Sequence, residues 1–221
     1  MIEAIVDLHI HSKYARACSP ALELPKIARA CELKGIQIAS TGDFTHPLWF
    51  ASIERELEEI GSTGLFRLKD GSSPTRFIIG TEISVVYKHK DKTRRLHLLI
   101  YAPSLTAARQ FIAALEERGA NLRADGRPIM GIPAKEILQM CLGIDKRIMV
   151  IPAHAWTPWF AVFGSKSGYD SLEECFDELA PEIFAIETGL SSDPAMNHRL
   201  RALDRITLIS NSDAHSLEKL G

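Results

Sequence analysis

Near each end of this chain an apolar run suited to a buried strand delivers two metal-ligand side chains spaced two residues apart. The first pair is His9 and His11 in Val6-Asp7-Leu8-His9-Ile10-His11; the second is Asp213 and His215 in Asn211-Ser212-Asp213-Ala214-His215. Residues two apart on a strand point to the same face, so the members of each pair project together. First and last strands stand side by side only if the sheet curls round, and both pairs then face one opening. The chain is thereby restricted to folds that bring its ends together. The chemistry indicated is a metal site and metal-assisted hydrolysis.

The intervening pattern is strand–helix alternation. Residues 2–10 form an apolar run broken only by Glu3 and Asp7, which reads as a strand covered on both faces. A helix over 24–33 closes at Lys34-Gly35, and a strand over 35–40 delivers Asp43 and His46. A second helix is expected over 49–60. Residues 76–88 and 93–102 read as a hairpin around the charged turn His89-Lys90-Asp91-Lys92, carrying Glu82 and His97. Helices follow over 104–119 and 134–142, separated by a polar loop over 121–131. A strand over 148–153 leads to His154 and an aromatic loop over 156–169. Asp170 is the expected cap of the next helix, with Glu173 in its first turn. A strand over 183–186 leads to Glu187, Asp193-Pro194 opens a helix, and the last strand covers 206–209. Repeated βα units without a linker predict one α/β domain with a parallel, barrel-like sheet and its site at the strand C-termini.

A length of 221 residues with 46% apolar content suits a single α/β barrel. The net charge of -2 excludes a global nucleic-acid signature but not a local basic face. Cys18, Cys31, Cys141 and Cys175 are scattered without a CxxC pair, which excludes a disulfide framework and favours buried thiols in a reducing compartment. No apolar run is long enough to span a bilayer, and the N-terminus enters a strand without a leader pattern. The expectation is a cytoplasmic protein with no membrane partner. The chain stops at Gly221, where a closing helix should begin, so it reads as a C-terminally shortened form of something longer.

His9, His11, Asp43, Glu82, His97, His154, Asp213 and His215 all fall at or just beyond expected strand ends. Imidazole and carboxylate without thiolate suit Zn, Mn or Fe, with Mg a further candidate. Asp7 shares a face with His9, as an acceptor orienting an imidazole or as a buried capping acid. Lys13 and Arg16 follow the first ligands and are candidate phosphate contacts, the alternative being a solvated loop. The basic run 88–95 coats the hairpin or meets a DNA backbone. Trp156, Trp159, Phe160 and Phe163 follow His154, where they would stack on an extruded base or plug the barrel mouth. Glu187 would touch substrate or orient a ligand. Gly164-Ser165-Lys166-Ser167-Gly168 lacks the strand-to-helix context of a phosphate loop.

Asp7-Leu8-His9-Ile10-His11-Ser12, Gly42-Asp43, Gly80-Thr81-Glu82, Pro152-Ala153-His154 and Ser212-Asp213-Ala214-His215 resemble, in order, the motifs of the polymerase and histidinol phosphatase (PHP) family. The resemblance covers residues 1–221. It implies a distorted (β/α)7 TIM-like barrel that holds two or three metal ions and hydrolyses phosphoesters. Within that family, residues 7–19, 41–49, 121–131, 151–160 and 187–194 resemble the endonuclease Q group, which nicks DNA beside deaminated or missing bases. Longer members add a cysteine-bound zinc module and a C-terminal region, and their absence here would weaken DNA binding.

The resemblance implies one ion on His9, His11, Glu82 and Asp213. A second would sit on His97 and His154 with Glu82 bridging, and a third on Asp43 or His46 with His215. The chain departs from the pattern at Phe44, where many members have histidine, and at Tyr14 to Ala17, where a further histidine is missing. Glu82, Asp213 and His215 are the implied catalytic residues, Asp213 or His215 also serving as proton carrier. The expected function is a damage-directed DNA endonuclease using water activated by several metal ions. The alternatives are a phosphomonoesterase acting on a small phosphorylated metabolite, and a metal-stabilised scaffold dependent on a missing partner region.

Overall fold

The computed structural model describes residues 3–221, which leaves Ile2 of the first expected strand outside the described residues. The fold is mixed α/β and divides into two compact units, Met1–Glu82 with Tyr101–Pro128 and Asn211–Gly221, and Ile83–Ile100 with Ile129–Ser210.

In the first unit, β1 (Val6–Asp7), β2 (Ile38–Ser40) and the start of β5 (Arg76–His89) lie parallel, with Val6 opposite Ile38 and Ile38 opposite Arg76. β3 (Leu57–Glu59) and β4 (Phe66–Leu68) continue antiparallel, Phe66 facing Phe77. Helix α1 (Leu24–Lys34) buries Leu24, Ile27, Ala28 and Cys31, one stripe at helical spacing, and ends at Gly35 with φ of 73°. Helix α2 (Pro47–Glu56) begins with proline at its first position and stops short of the expected residue 60. Residues 57–59 instead pair with β4, because Leu57 is buried there and Glu59 is exposed. Helix α3 (Leu105–Glu117) starts as expected at Ser104, whose side chain accepts from Ala107 N.

The ends of the chain do meet. Ile10 forms a parallel bridge with Ala214, and His11 N donates to Ala214 O at 3.1 Å. Asn211 Oδ1 accepts from Leu8 N at 2.9 Å. β1 is shorter than expected and not covered on both faces: Ile5 is 60% and Val6 39% exposed, while Asp7, His9, Ile10 and His11 point inward.

The second unit contains the rest of β5 and most of β6 (Lys92–Ala102), joined by a tight turn at Lys90, whose φ is 53°. β7 (Ile129–Met130) lies parallel to β5, and β8 (Met149–Pro152) pairs with β6. α4 (Ala134–Ile144) precedes β8. α5 (Leu172–Phe176) is capped by Ser171 rather than Asp170: Ser171 Oγ accepts from Glu174 N at 3.1 Å, and Glu174 accepts from Asp170 N at 3.0 Å. β9 (Ala185–Glu187) and β10 (Thr207–Ile209) run parallel, and Asp193 caps α6 (Pro194–Asn197) as expected.

Two of the four points where the chain passes between the units fall inside long strands, β5 and β6, where no change of composition marks them. Among the described residues the strand pairings do not trace a closed barrel. All four cysteines are free thiols; Cys31, Cys141 and Cys175 are buried as expected, whereas Cys18 is only partly buried. No helix of the described residues is long and apolar enough to cross a membrane.

Gly42 has a φ of 62°, and a Cβ there would lie 2.4 Å from Ile10 O. Gly42→Ala should therefore destabilise the fold by about 2 kcal/mol or more, read as a lowered urea midpoint at unchanged slope.

Candidate metal centre

The bridge at Ile10 holds residues 9–11 extended, so both imidazoles project to one side with ring centroids 5.5 Å apart. Glu82 reaches them from the interior of β5, not from its end, and is 1% exposed. Asp213 comes from the loop after β10, with φ of 50°. It does not share a strand face with His215 as the two-residue spacing suggested. The separations are short and even. His9 Nε2 lies 3.6 Å from Glu82 Oε2 and 3.4 Å from Asp213 Oδ1, and His11 Nε2 lies 3.4 Å and 3.1 Å from the same two oxygens. A tetrahedral ion with bonds of about 2.1 Å places its ligand atoms about 3.4 Å apart. The imidazole-to-carboxylate edges match that spacing, and the four donor atoms, all within 4.8 Å of one another, fit one divalent cation.

The ligands are oriented by a second layer. His11 Nδ1 lies 3.0 Å from Asp43 Oδ1, while Asp43 Oδ2 accepts from Ser12 N at 2.5 Å. With Nδ1 turned to Asp43, Nε2 is the nitrogen that faces Glu82 and Asp213 and would carry either a proton or an ion there. Burial alone would lower the His11 pKa, but the Asp43 charge and the bonds to Asp213 and Asp43 raise it well above 6.5. Burial would raise the Asp213 carboxyl, and the imidazoles of His11 and His9 outweigh it and hold it below its ordinary value. Asp7 proves to be the capping acid, accepting from Ser212 N, Ser212 Oγ and Gly221 N at 3.2, 2.5 and 2.9 Å.

His46 and His215 stand outside the donor groupings found among the described residues. His46 begins α2 and stacks on Tyr14 at 4.4 Å, and burial lowers its pKa. The His215 ring is 4.7 Å from that of His11, and its Nδ1 donates to Asp213 O at 2.8 Å, which leaves Nε2 as the acceptor of the neutral ring.

In the second unit, His97 Nδ1 and His154 Nε2 face each other at 3.2 Å. His97 lies within β6 rather than at its end. Thr157 Oγ1, which donates to the carbonyls of His154 and Trp159, lies 3.1 Å from His154 Nδ1 and accepts from it. That bond turns the Nε2 lone pair towards His97. Glu187 Oε2 accepts from His154 N at 2.7 Å, so Glu187 positions the loop at His154, where φ is 30°.

The aromatic loop has two parts. Trp156 donates to Asn197 Oδ1 at 2.8 Å and stacks on Phe163, and Phe160 packs 4.8 Å from His97. Trp159 is 49% exposed, with the Arg95 guanidinium 5.3 Å from its ring centre. Lys13 is engaged by Glu23 at 2.8 Å, and Arg16 N donates to Asp125 Oδ1 at 3.1 Å. Sequence reasoning missed Arg127, whose Nη1 donates to Glu82 Oε2 at 2.9 Å. Burial works against its charge, but Glu82 outweighs burial and raises its pKa. Its only sequence signal was membership of the polar run 121–131.

The chain is similar in sequence and fold to several known proteins. A Bacillus subtilis protein of uncharacterised function, YqxK, is 31% identical over 238 residues, covering 100% of this chain and 57% of that protein. The lesion-specific endonuclease PfuEndoQ of Pyrococcus furiosus is 32% identical with a TM-score of 0.84, over 99% of this chain and 50% of that one. An endonuclease Q bound to a 27-mer duplex with an abasic lesion at its active site is 33% identical with a TM-score of 0.83, over 97% and 49%. The chain thus spans about half the length of the relatives it matches. A Bifidobacterium adolescentis protein described as a metal-dependent phosphoesterase shares the fold at 15% identity, with a TM-score of 0.62. No family model matches the chain.

Asp43→Ala should weaken divalent-ion binding about 10–100-fold with the fold retained, measured by calorimetry beside circular dichroism. Because the His11 pKa is raised, an incoming ion must displace its proton. Affinity should therefore fall as pH drops through that pKa, and calorimetry in buffers of different ionisation enthalpy should show proton release.

Proposed function

We propose that this relative of endonuclease Q is a divalent-metal-dependent phosphodiesterase that nicks DNA beside deaminated or abasic nucleotides. The observation that carries the reading is the 3.1–3.6 Å spacing of the His9 and His11 nitrogens from the Glu82 and Asp213 oxygens in a chain 32% identical to PfuEndoQ. The proposed arrangement of the strands is the distorted (β/α)7 barrel of the PHP family. The parallel order β1–β2–β5 and the bridge from Ile10 to Ala214 support it.

His9, His11, Glu82 and Asp213 would hold the first ion. His97 and His154 would hold a second, with Glu82 the bridging carboxylate that the family pattern implies. Both Asp43 oxygens are already engaged, by His11 and Ser12, which favours two ions over three. The mixed imidazole and carboxylate donors favour Mn or Zn. Bound ions of this kind lower the pKa of a water and offset the charge of a phosphodiester. The chain's own residues then place and protonate. His215 presents Nε2 as the proton carrier, leaving Asp213 to serve as ligand. Trp159, with the Arg95 cation over its ring, offers an exposed stacking face to a base, while Trp156 and Phe160 brace the loop. Buried free thiols favour the cytoplasm.

The test is incubation of labelled duplexes carrying uracil or an abasic site with Mn2+ or Zn2+. One nick at the lesion and none in the undamaged duplex is expected; an uncut lesion duplex at every enzyme concentration overturns the reading. Glu82→Ala and Asp213→Ala should each reduce cleavage about a thousandfold, the equivalent of several kcal/mol of lost charge stabilisation. Trp159→Ala should lower DNA cleavage about tenfold, corresponding to the loss of one base stack, and leave aryl phosphodiester turnover nearly unchanged.

A further inference from the structure

Arg127 is placed with unusual firmness for a loop cation. Asp125 Oδ1 accepts from Arg127 N at 3.0 Å and from Arg16 N at 3.1 Å, tying this turn to the first loop. Gly126 N donates to Tyr14 O at 3.0 Å. A Cβ at Gly126 would lie 2.6 Å from Asp43 Oδ2 and 2.9 Å from Ala15 N, so the backbone is pressed directly against the carboxylate that orients His11. From that base the guanidinium reaches Glu82, which is fully buried, while its own side chain stays 28% exposed. Arg127 therefore stands at the border between the donor cluster and solvent.

The oxygen it contacts decides its role. Arg127 Nη1 donates to Glu82 Oε2, the same atom that lies 3.4 Å from His11 Nε2 and 3.6 Å from His9 Nε2. Glu82 Oε2, which faces both imidazoles, is the oxygen placed to bond a divalent ion shared by them. A guanidinium at 2.9 Å then faces a dication across a single atom, and like charges at that range repel. The planar fork of arginine matches a phosphate, and the side chain can turn outward about its own torsions while the turn stays fixed.

We propose that Arg127 and a divalent cation compete for Glu82 Oε2, and that the displaced guanidinium binds a non-bridging oxygen of the phosphodiester. Glu82 thereby has a counter-charge with or without metal, and the cation given up becomes a substrate ligand. The substrate half of this inference rests on the nuclease reading above; the competition half does not.

The test uses the full chain and two variants, Arg127→Gln and Arg127→Lys. Calorimetric titration of chelator-treated protein with Mn2+ reads the competition without any substrate. Arg127→Gln should bind Mn2+ at least about threefold more tightly than wild type, and unchanged or weaker binding overturns the competition. Arg127→Lys keeps a cation at the site and should remain near wild type, so a variant that merely misfolds is told apart by its thermal unfolding. With lesion duplex, Arg127→Gln should raise KM about tenfold with kcat little changed, and Arg127→Lys should restore part of the loss. An unchanged KM in Arg127→Gln, in an enzyme whose wild type cuts lesion DNA, overturns the phosphate role and leaves the nuclease reading standing. A wild type that cuts no lesion DNA overturns the nuclease reading, while the Mn2+ titration still decides the competition.

Discussion

The candidate site depends on the bridge between Ile10 and Ala214. That contact joins segments some two hundred residues apart in sequence and sets Asp213 against His9 and His11. It is reinforced from both sides: Asn211 holds Leu8, and the buried Asp7 carboxylate collects Ser212 and Gly221. Three acceptors on two short segments thus fix the separation of the first ligand pair from the last carboxylate. Helix α1 contributes through Lys34, whose ammonium donates to Glu218 O and Leu220 O at 2.8 and 2.6 Å.

Within that frame the donors are arranged by charge. Burial and the neighbouring Glu82 work against the Asp213 charge, and the imidazoles of His11 and His9 outweigh them. His11 is the pivot, with Asp43 on one nitrogen and Asp213 and Glu82 on the other. Several site residues accept unusual backbone geometry to achieve this: Asp43, His154 and Asp213 all have positive φ, at 47°, 30° and 50°. Non-glycine residues in that region are uncommon, and such local strain is of the kind that functional residues retain.

Much of this could be read from the residues. The spacing of His9 and His11, the helix end at Lys34-Gly35, the helix start at Ser104, the cap at Asp193, and the hairpin through Glu82 and His97 all rest on local rules that hold wherever they occur. The errors arose where tertiary contacts overrode a local preference. Residues 57–59 extend the helical pattern of α2 but pair with β4, and Asp170 is a good cap residue beside a better-placed Ser171. Asp213 and His215 fit a strand alternation that the left-handed turn at Asp213 breaks. Arg127 was invisible for a different reason. A lone arginine in a polar loop carries no local pattern, and only the close seat of Gly126 against Asp43 brings it to Glu82. The division into two units was equally hidden, since two of its four crossing points lie within the uninterrupted strands β5 and β6.

The route by which Asp213 joins the cluster bears on biosynthesis. Three of the four donors of the first group lie within the opening 82 residues, and the fourth arrives only at position 213. A growing polypeptide therefore carries two imidazoles and a glutamate long before it can enclose an ion. An ion held by all four donors would be enclosed only once the segment that seats beside Ile10 is in place, so its acquisition and the closing of this end of the fold would coincide.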